Sequence, residues 1–333
     1  MSKALALFSG GLDSMLAARV VMEQGVEVTA LQFITPFFGY RHKGHEDEAA
    51  EEFKRKYGID CVIVDVSREY VTMIRDPKYG YGKNFNPCID CKIFMMRRAK
   101  EMMVSLGADF IVSGEVLGQR PMSQRRDALR IVERDSGLDY YLLRPLCAKL
   151  LKPTYPEEHG LIDREKLYDI SGRSRKRQME LAAGFGISDY ETPAGGCQLT
   201  DPILSKRVEW FLRTHDTFEV EDLSLLATGR HFELPGGMLY VGRNKGENEK
   251  IDGLVREGDY IIKVSDRPGP VTLFRGEAGD DTLRLAARIT ARYSDTKDME
   301  EVPVRITRKG GEVENIIVSR IGEAELDALR AKY

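Results

Sequence analysis

The string Ser9-Gly10-Gly11-Leu12-Asp13-Ser14 lies between an apolar run at residues 4–8 and a segment in which Leu16, Ala17, Val20 and Val21 recur at helical spacing. A strand, a glycine turn and a helix in that order form the opening unit of a parallel α/β sheet, so this string constrains the fold more than any other. Its two glycines permit positive φ and let backbone N–H groups approach an anion, while Ser9 and Ser14 can donate hydroxyl hydrogen bonds to it. The helix that follows adds partial positive charge at its N-terminus, and Gly25 is expected to end it. The string is not a Walker loop. The nearest match to that pattern, 237–244, has Arg243 and Asn244 where lysine and a hydroxyl residue are needed. The plain alternative is a glycine turn with no ligand.

The alternation continues. Apolar runs at 26–33, 61–66, 110–113 and 140–143 read as strands, and helical patterns occupy 12–23, 46–57 and 92–106. The expected fold is α/β, a doubly wound and mainly parallel sheet with ligands at the strand C-termini. After Pro202 the pattern changes to a short helix around 208–213 and then to strands at 238–241, 260–264, 272–275, 302–307 and 314–318, which reads as a smaller α+β domain. A chain of 333 residues suits two cores. The expected division is 1–200, a helical linker at 201–224, and 225–333.

The net charge of −3 gives no global case for a nucleic-acid partner, so any such contact must come from local patches. One candidate gathers Arg120, Arg125, Arg126, Arg130 and Arg134. The other, Arg173, Arg175, Lys176 and Arg177, is sharper because no acid lies among its residues, although a solvated helix face is the alternative. With no signal-like N-terminus and no apolar run of spanning length, the expectation is a cytoplasmic protein without a membrane partner.

Five cysteines, an odd number, point to a reducing compartment. Cys88 and Cys91 form a CxxC pair at the start of an expected helix, where thiol pKa falls, and Cys197 ends the glycine-rich stretch 192–197. Three thiolates leave one metal position open. Structural zinc wants a fourth ligand that the sequence does not supply, a [4Fe–4S] cluster would keep one iron free, and a metal-free pair could carry and resolve a persulfide. Cys61 and Cys147 read as core thiols, and His42 with His45 as surface residues.

The loop string resembles the SGGxDS signature of the ATP pyrophosphatases, which cleave ATP to AMP and pyrophosphate while activating a carbonyl oxygen. Further strings, Ser113-Gly114-Glu115-Val116-Leu117-Gly118-Gln119, Ser123-Gln124 and Leu143-Arg144-Pro145-Leu146, resemble the ThiI-type tRNA 4-thiouridine synthases. Asn86-Pro87-Cys88 through Cys91 is similar to a segment of the MnmA-type 2-thiouridylases, and the CxxC with a distant cysteine looks like the cluster-dependent TtuA and NcsA types. No stretch resembles a THUMP module or a rhodanese domain, so sulfur from an internal rhodanese is not expected. Gly229-Arg230-His231-Phe232 with residues 236–244 and Asn248 is similar to the NFACT-R RNA-binding domain.

These resemblances imply ATP-dependent replacement of a uridine carbonyl oxygen by sulfur, at C2 or C4. ATP would lie on Ser9, Gly10, Gly11, Asp13 and Ser14, with Leu31, Gln32, Phe33, Ser113, Gly114 and Glu115 completing the pocket. Mg²⁺ would be assisted by Asp13, and Cys88, Cys91 and Cys197 would supply sulfur as cluster ligands or as a persulfide and its resolving thiol. tRNA would meet Arg125, Arg126, Arg173, Arg175, Lys176, Arg177, Arg230, Arg243 and Asn244, the last two in a stretch whose plain reading is a hairpin turn. A cysteine desulfurase, a carrier protein or sulfide would be the donor, and a homodimer is allowed. Two alternatives stay open: an ATP enzyme acting on a small molecule, and a nucleotide-sensing RNA- or ribosome-binding protein without catalysis.

Overall fold

The structure, a computed structural model, describes residues 2–188, 190 and 197–333. The chain divides into two compact units, the first ending at Glu209 and the second beginning at Trp210. In the first, the order is β1 (Lys3–Leu7), α1 (Leu12–Met22), β2 (Glu27–Ile34), α2 (Glu46–Tyr57), β3 (Asp60–Asp65), α3 (Ser67–Arg75), α4 (Cys88–Ser105), β4 (Phe110–Ser113), α5 (Arg126–Ser136), β5 (Leu142–Leu143), α6 (Tyr155–Glu158) and α7 (Lys176–Gly184). The division between the units falls within α8 (Pro202–Thr214).

The five strands are parallel in the order β3-β2-β1-β4-β5. The chain winds outward from β1 to β3, then crosses to β4 on the other side of β1. The winding therefore reverses between β1 and β4, where a doubly wound sheet opens a crevice at its strand C-termini. Both faces are covered, which explains the short, almost wholly apolar β1. Ala4 and Ala6 join the core beneath α1, whereas Leu5 joins Leu31, Ile111, Ile93 and Met96 beneath α4 and α5. The helix α1 ends at Met22, before Gly25, which at φ 80° turns the chain into β2.

The second unit comprises α9 (Val220–Leu226), β6 (Arg230–Leu234), β7 (Gly237–Val241), α10 (Lys245–Gly253), β8 (Tyr260–Val264), β9 (Thr272–Gly276), α11 (Asp280–Arg292), β10 (Val302–Arg308), β11 (Val313–Val318) and α12 (Glu323–Ala328). Its antiparallel sheet runs β11-β10-β8-β9-β7-β6. One face packs on α11 through Val304, Ile262, Leu239 and Phe274. Over part of the other face, Met238, Tyr240 and Leu273 meet Leu225 of α9 and Ile251 of α10. Arg275 is locked there, donating to Asp222 at 2.6 Å, to Asp259 at 2.6 and 3.0 Å, and to the Leu254 carbonyl at 2.8 Å. Arg275→Met would leave the buried Asp259 carboxylate without its cation and Asp222 with Arg256 alone, at 3.4 Å, and should cost the second unit roughly 3–5 kcal/mol. Urea unfolding followed by Trp210 fluorescence checks this.

Candidate nucleotide and sulfur site

Strand β2 runs past the end of β1, so the turn after Leu7 begins in a notch. The Phe8 N–H still donates to the Leu31 carbonyl at 2.9 Å, and the chain then turns at Gly10 with φ 76°, a left-handed conformation that favours glycine. Gly11 stands at the head of α1, which has no side-chain cap, leaving first-turn N–H groups to face an anion. Ser14 Oγ donates to the Gly11 carbonyl at 2.7 Å, accepts from Ser9 N–H at 3.3 Å and lies 3.4 Å from Ser9 Oγ. Leu31, Gln32 and Phe33 are inner residues of β2, paired to Val62, Ile63 and Val64 of β3. Because β1 ends at Leu7, only the β1-facing edge beyond Leu31 is without a strand partner.

Two segments distant in sequence close on this turn. A Cβ on Gly114 would lie 2.6 Å from the Asp13 carbonyl group and from Ser14 N, so the loop after β4 rests backbone to backbone on the head of α1. Ser113 Oγ accepts from Glu115 N–H at 3.2 Å and shapes that loop. The Asp13 carboxylate receives Gln119 Nε2 at 2.6 Å and faces Arg175 Nη2 at 3.6 Å; Gln119 in turn accepts from Gln178 Nε2 at 3.0 Å. The other Asp13 oxygen, Oδ1, is buried with no hydrogen-bond partner. Arg175 is therefore a neighbour of the turn, a placement that its cationic surroundings in the sequence do not reveal.

Glu115 ties the turn to the cysteines. It accepts from Arg144 Nε at 3.0 Å and stands 3.7 Å from Lys92 Nζ, in the first turns of α4, while Arg144 also binds Glu133. Burial alone would raise the Glu115 carboxyl, but Arg144 and Lys92 outweigh it and hold it below the ordinary carboxylate range. A helix that precedes a parallel strand begins at the strand C-terminal edge, so the start of α4 and the start of α1 share one edge of the sheet.

Helix α4 begins at Cys88, earlier than the sequence suggests, so both cysteines of the pair lie in its first turn. Asn86 Nδ2 donates to Cys88 Sγ at 3.1 Å, and the Tyr70 hydroxyl donates to Cys91 Sγ at 3.3 Å. Tyr70, a residue with no motif to announce it, is 1% exposed and ringed by Phe37, Phe38 and Phe94. Cys197 approaches from the far end of the unit. Gln198 N–H donates to the Phe37 carbonyl at 3.2 Å, Asn84 Nδ2 to the Thr200 carbonyl at 2.7 Å, and Phe85 N–H to Ser205 Oγ at 2.5 Å.

Burial pushes the Cys197 thiol up to about 12, with the neighbouring Cys91 and Cys88 adding to the rise. It likewise pushes Cys91 up to about 11, against the opposing pull of the Tyr70 hydroxyl and Lys92. The three sulfurs thus share one electrostatic neighbourhood. Among the described residues, no three His, Cys, Asp or Glu side chains are grouped as a metal-ligating set. The glycine-rich stretch before Cys197, with Gly195 and Gly196, lies outside the described residues. Cys147 is buried, its Sγ donating to the Glu115 carbonyl at 3.4 Å, and Cys61 is a partly buried strand residue.

Most of the remaining cations have local employment. Arg125 pairs with Asp127, Arg126 donates to the Leu150 carbonyl at 3.1 Å, and Arg177 pairs with Asp169 at 2.7 Å. Arg230 lies over the Tyr293 ring at 4.4 Å. Arg243 pairs with Glu247 and Asn244 caps α10 through Glu247 N–H, so this stretch is a helix start and not a hairpin turn. Arg173 and Lys176 are exposed and make no ion pair among the described residues.

Two outcomes follow from this geometry. Gly114→Ala must separate the two loops or distort them and should cost roughly 1–3 kcal/mol of first-unit stability in a denaturant titration. Raised thiols are protonated at neutral pH, so Cys91 and Cys197 should resist iodoacetamide at pH 8 in the folded protein and react once it is unfolded, as peptide mass mapping would read.

Residues 1–150 match the family described as thiamine biosynthesis protein (ThiI), and residues 229–330 match the NFACT protein RNA binding domain. A probable tRNA sulfurtransferase of Ureaplasma parvum is 31% identical over 179 residues, covering 51% of this chain and 42% of the relative. The chain thus spans about two-fifths of that protein's length. A tRNA-specific 2-thiouridylase MnmA of Methylobacillus flagellatus is 28% identical over 317 residues, covering 85% of this chain and 80% of the relative. The solved U34-tRNA thiolase NcsA of Methanococcus maripaludis, described with its [4Fe–4S] cluster, is 18% identical over 65% of this chain and 68% of that one, with a TM-score of 0.35, a likeness too loose to place any residue. The chain is thus similar to the ThiI family over residues 1–150 and to the NFACT RNA-binding domain over residues 229–330.

Proposed function

We propose that the chain is an ATP-dependent tRNA thiouridine synthase. The observation that carries this reading is the meeting of an uncapped glycine-serine turn at the head of α1 with a cysteine pair at the head of α4, on one edge of one sheet. The first can hold phosphates and the second sulfur. The tRNA-modifying relatives add support from outside the geometry.

ATP would bind along Ser9 to Ser14, with the unpaired edge of β2 beyond Leu31 and the Ser113 to Glu115 loop completing the pocket. The orphaned Asp13 Oδ1 suits Mg²⁺, which when bound neutralises phosphate charge. Arg175 belongs to this pocket as a second cation for the phosphates, since it stands beside Asp13. The uridine carbonyl oxygen attacks the α-phosphorus and pyrophosphate leaves. A sulfur nucleophile then adds to the carbon that bears the adenylated oxygen, and AMP departs with that oxygen. The target base must be out of its stack to reach the crevice, and Arg173 with Lys176 are placed to hold backbone phosphates.

Thiols held near 11 and 12 are poor nucleophiles at neutral pH, and a bound cation would convert them to thiolates. Cys88, Cys91 and Cys197 offer the donor chemistry for a [4Fe–4S] cluster, which when bound would hold and hand on sulfide. A cysteine desulfurase, a carrier protein or sulfide would feed the site.

Asp13→Ala should keep the fold and abolish tRNA-dependent ATP–pyrophosphate exchange. Mass spectrometry of tRNA nucleosides from a deletion strain should show one thiouridine missing. Unchanged nucleosides beside intact ATP turnover would assign the site to a small molecule instead.

A further inference from the structure

The sheet of the second unit is covered unevenly. Over β6, β7 and β9, α9 and α10 pack on the face opposite α11, but β8, β10 and β11 leave that face open. Strand alternation puts Lys263, Arg305 and Asn315 on it in a single register row, since Arg305 pairs with Lys263 on one side and Asn315 on the other. The next row pairs Pro303 with Ile317, and Val313 flanks the other side. Val313 and Ile317 are 57% and 59% exposed.

Two features of this face call for a ligand. Like charges directly opposite across a strand pair are destabilising, yet Arg305 and Lys263 are cross-strand neighbours. The strands themselves place no carboxylate on the face. One acid, Asp252 of α10, reaches Lys263 at 3.3 Å, while Arg305 makes no ion pair among the described residues. An anion over this row would relieve the repulsion, and the β-branched side chains beside it would cover apolar sugar and base surface.

We propose that the open half of this sheet, centred on Arg305 and Lys263, is a surface that grips the RNA backbone. The proposal rests on the reading that the chain acts on tRNA and adds the place at which the second unit holds it. With no aromatic ring in the rows, the surface lacks a platform for stacking bases and reads phosphate and ribose without sequence preference. A second copy of the chain is the less suitable occupant, because a two-fold contact through this face would set the cation row against itself.

The test is binding of unfractionated tRNA by the full chain over a series of KCl concentrations. The double variant Lys263→Ala with Arg305→Ala should weaken binding roughly tenfold near 0.1 M salt and reduce the log–log salt slope by about 0.7–0.9 for each phosphate that is no longer neutralised. Arg284→Ala, on α11 across the sheet, should match the parent in both respects. Should the double variant bind like the parent while Arg173→Ala with Lys176→Ala weakens binding, the surface is overturned and the thiolation reading stands. A parent protein with no affinity for tRNA at any salt would overturn both. If Ile317→Asp splits a dimer seen by sedimentation and tRNA binding stays as in the parent, the face is a self-association surface and the proposal falls.

Discussion

The first unit depends on a contact between two backbones. Gly114 lies against the Asp13–Ser14 peptide at a distance that leaves no room for a Cβ, and this approach lets a loop from β4 and a turn from β1 act as one wall. Glu115, next in sequence, carries the connection through Lys92 to the cysteine helix, and Gln119 and Gln178 bring the loop before α5 and the helix α7 to the Asp13 carboxylate. The Glu115–Arg144–Glu133 cluster holds fixed charge in the interior, where breaking one partner costs more than the pair contributes.

Around the sulfurs, electrostatics runs the other way. Burial dominates there, and the only hydroxyl that reaches Cys91 among the described residues sits in an aromatic box. Such a pocket keeps the Cys91 and Cys197 thiols protonated at neutral pH.

Features set by local chemistry were legible in the sequence. The alternation of apolar runs announces all five parallel strands, although the last shrinks to Leu142–Leu143, and the strand-turn-helix unit marks the crevice. Helices α3 and α5 are not among the patterns marked in the sequence, although each buries a stripe at helical spacing, such as Tyr70 and Ile74 or Leu129 and Val132, because these stripes are short and narrow. The placement of Arg175 beside Asp13 depends on α7 folding back across more than half the unit, which no local pattern encodes. Arg243 and Asn244 stand at the start of α10, which Asn244 caps, since residues that bind anions well also cap helices well.

Cys197 joins the site by a few hydrogen bonds from the final segment of the first unit, long after Cys88 and Cys91 in the chain. Contacts of such sequence separation form late, because a long loop must close before they repay its entropy. A chain emerging during synthesis therefore exposes a two-thiol helix head well before the third thiol exists. Assembly of the three cysteines is in this way tied to completion of the whole α/β unit, and a truncated or misfolded chain would present only the first two.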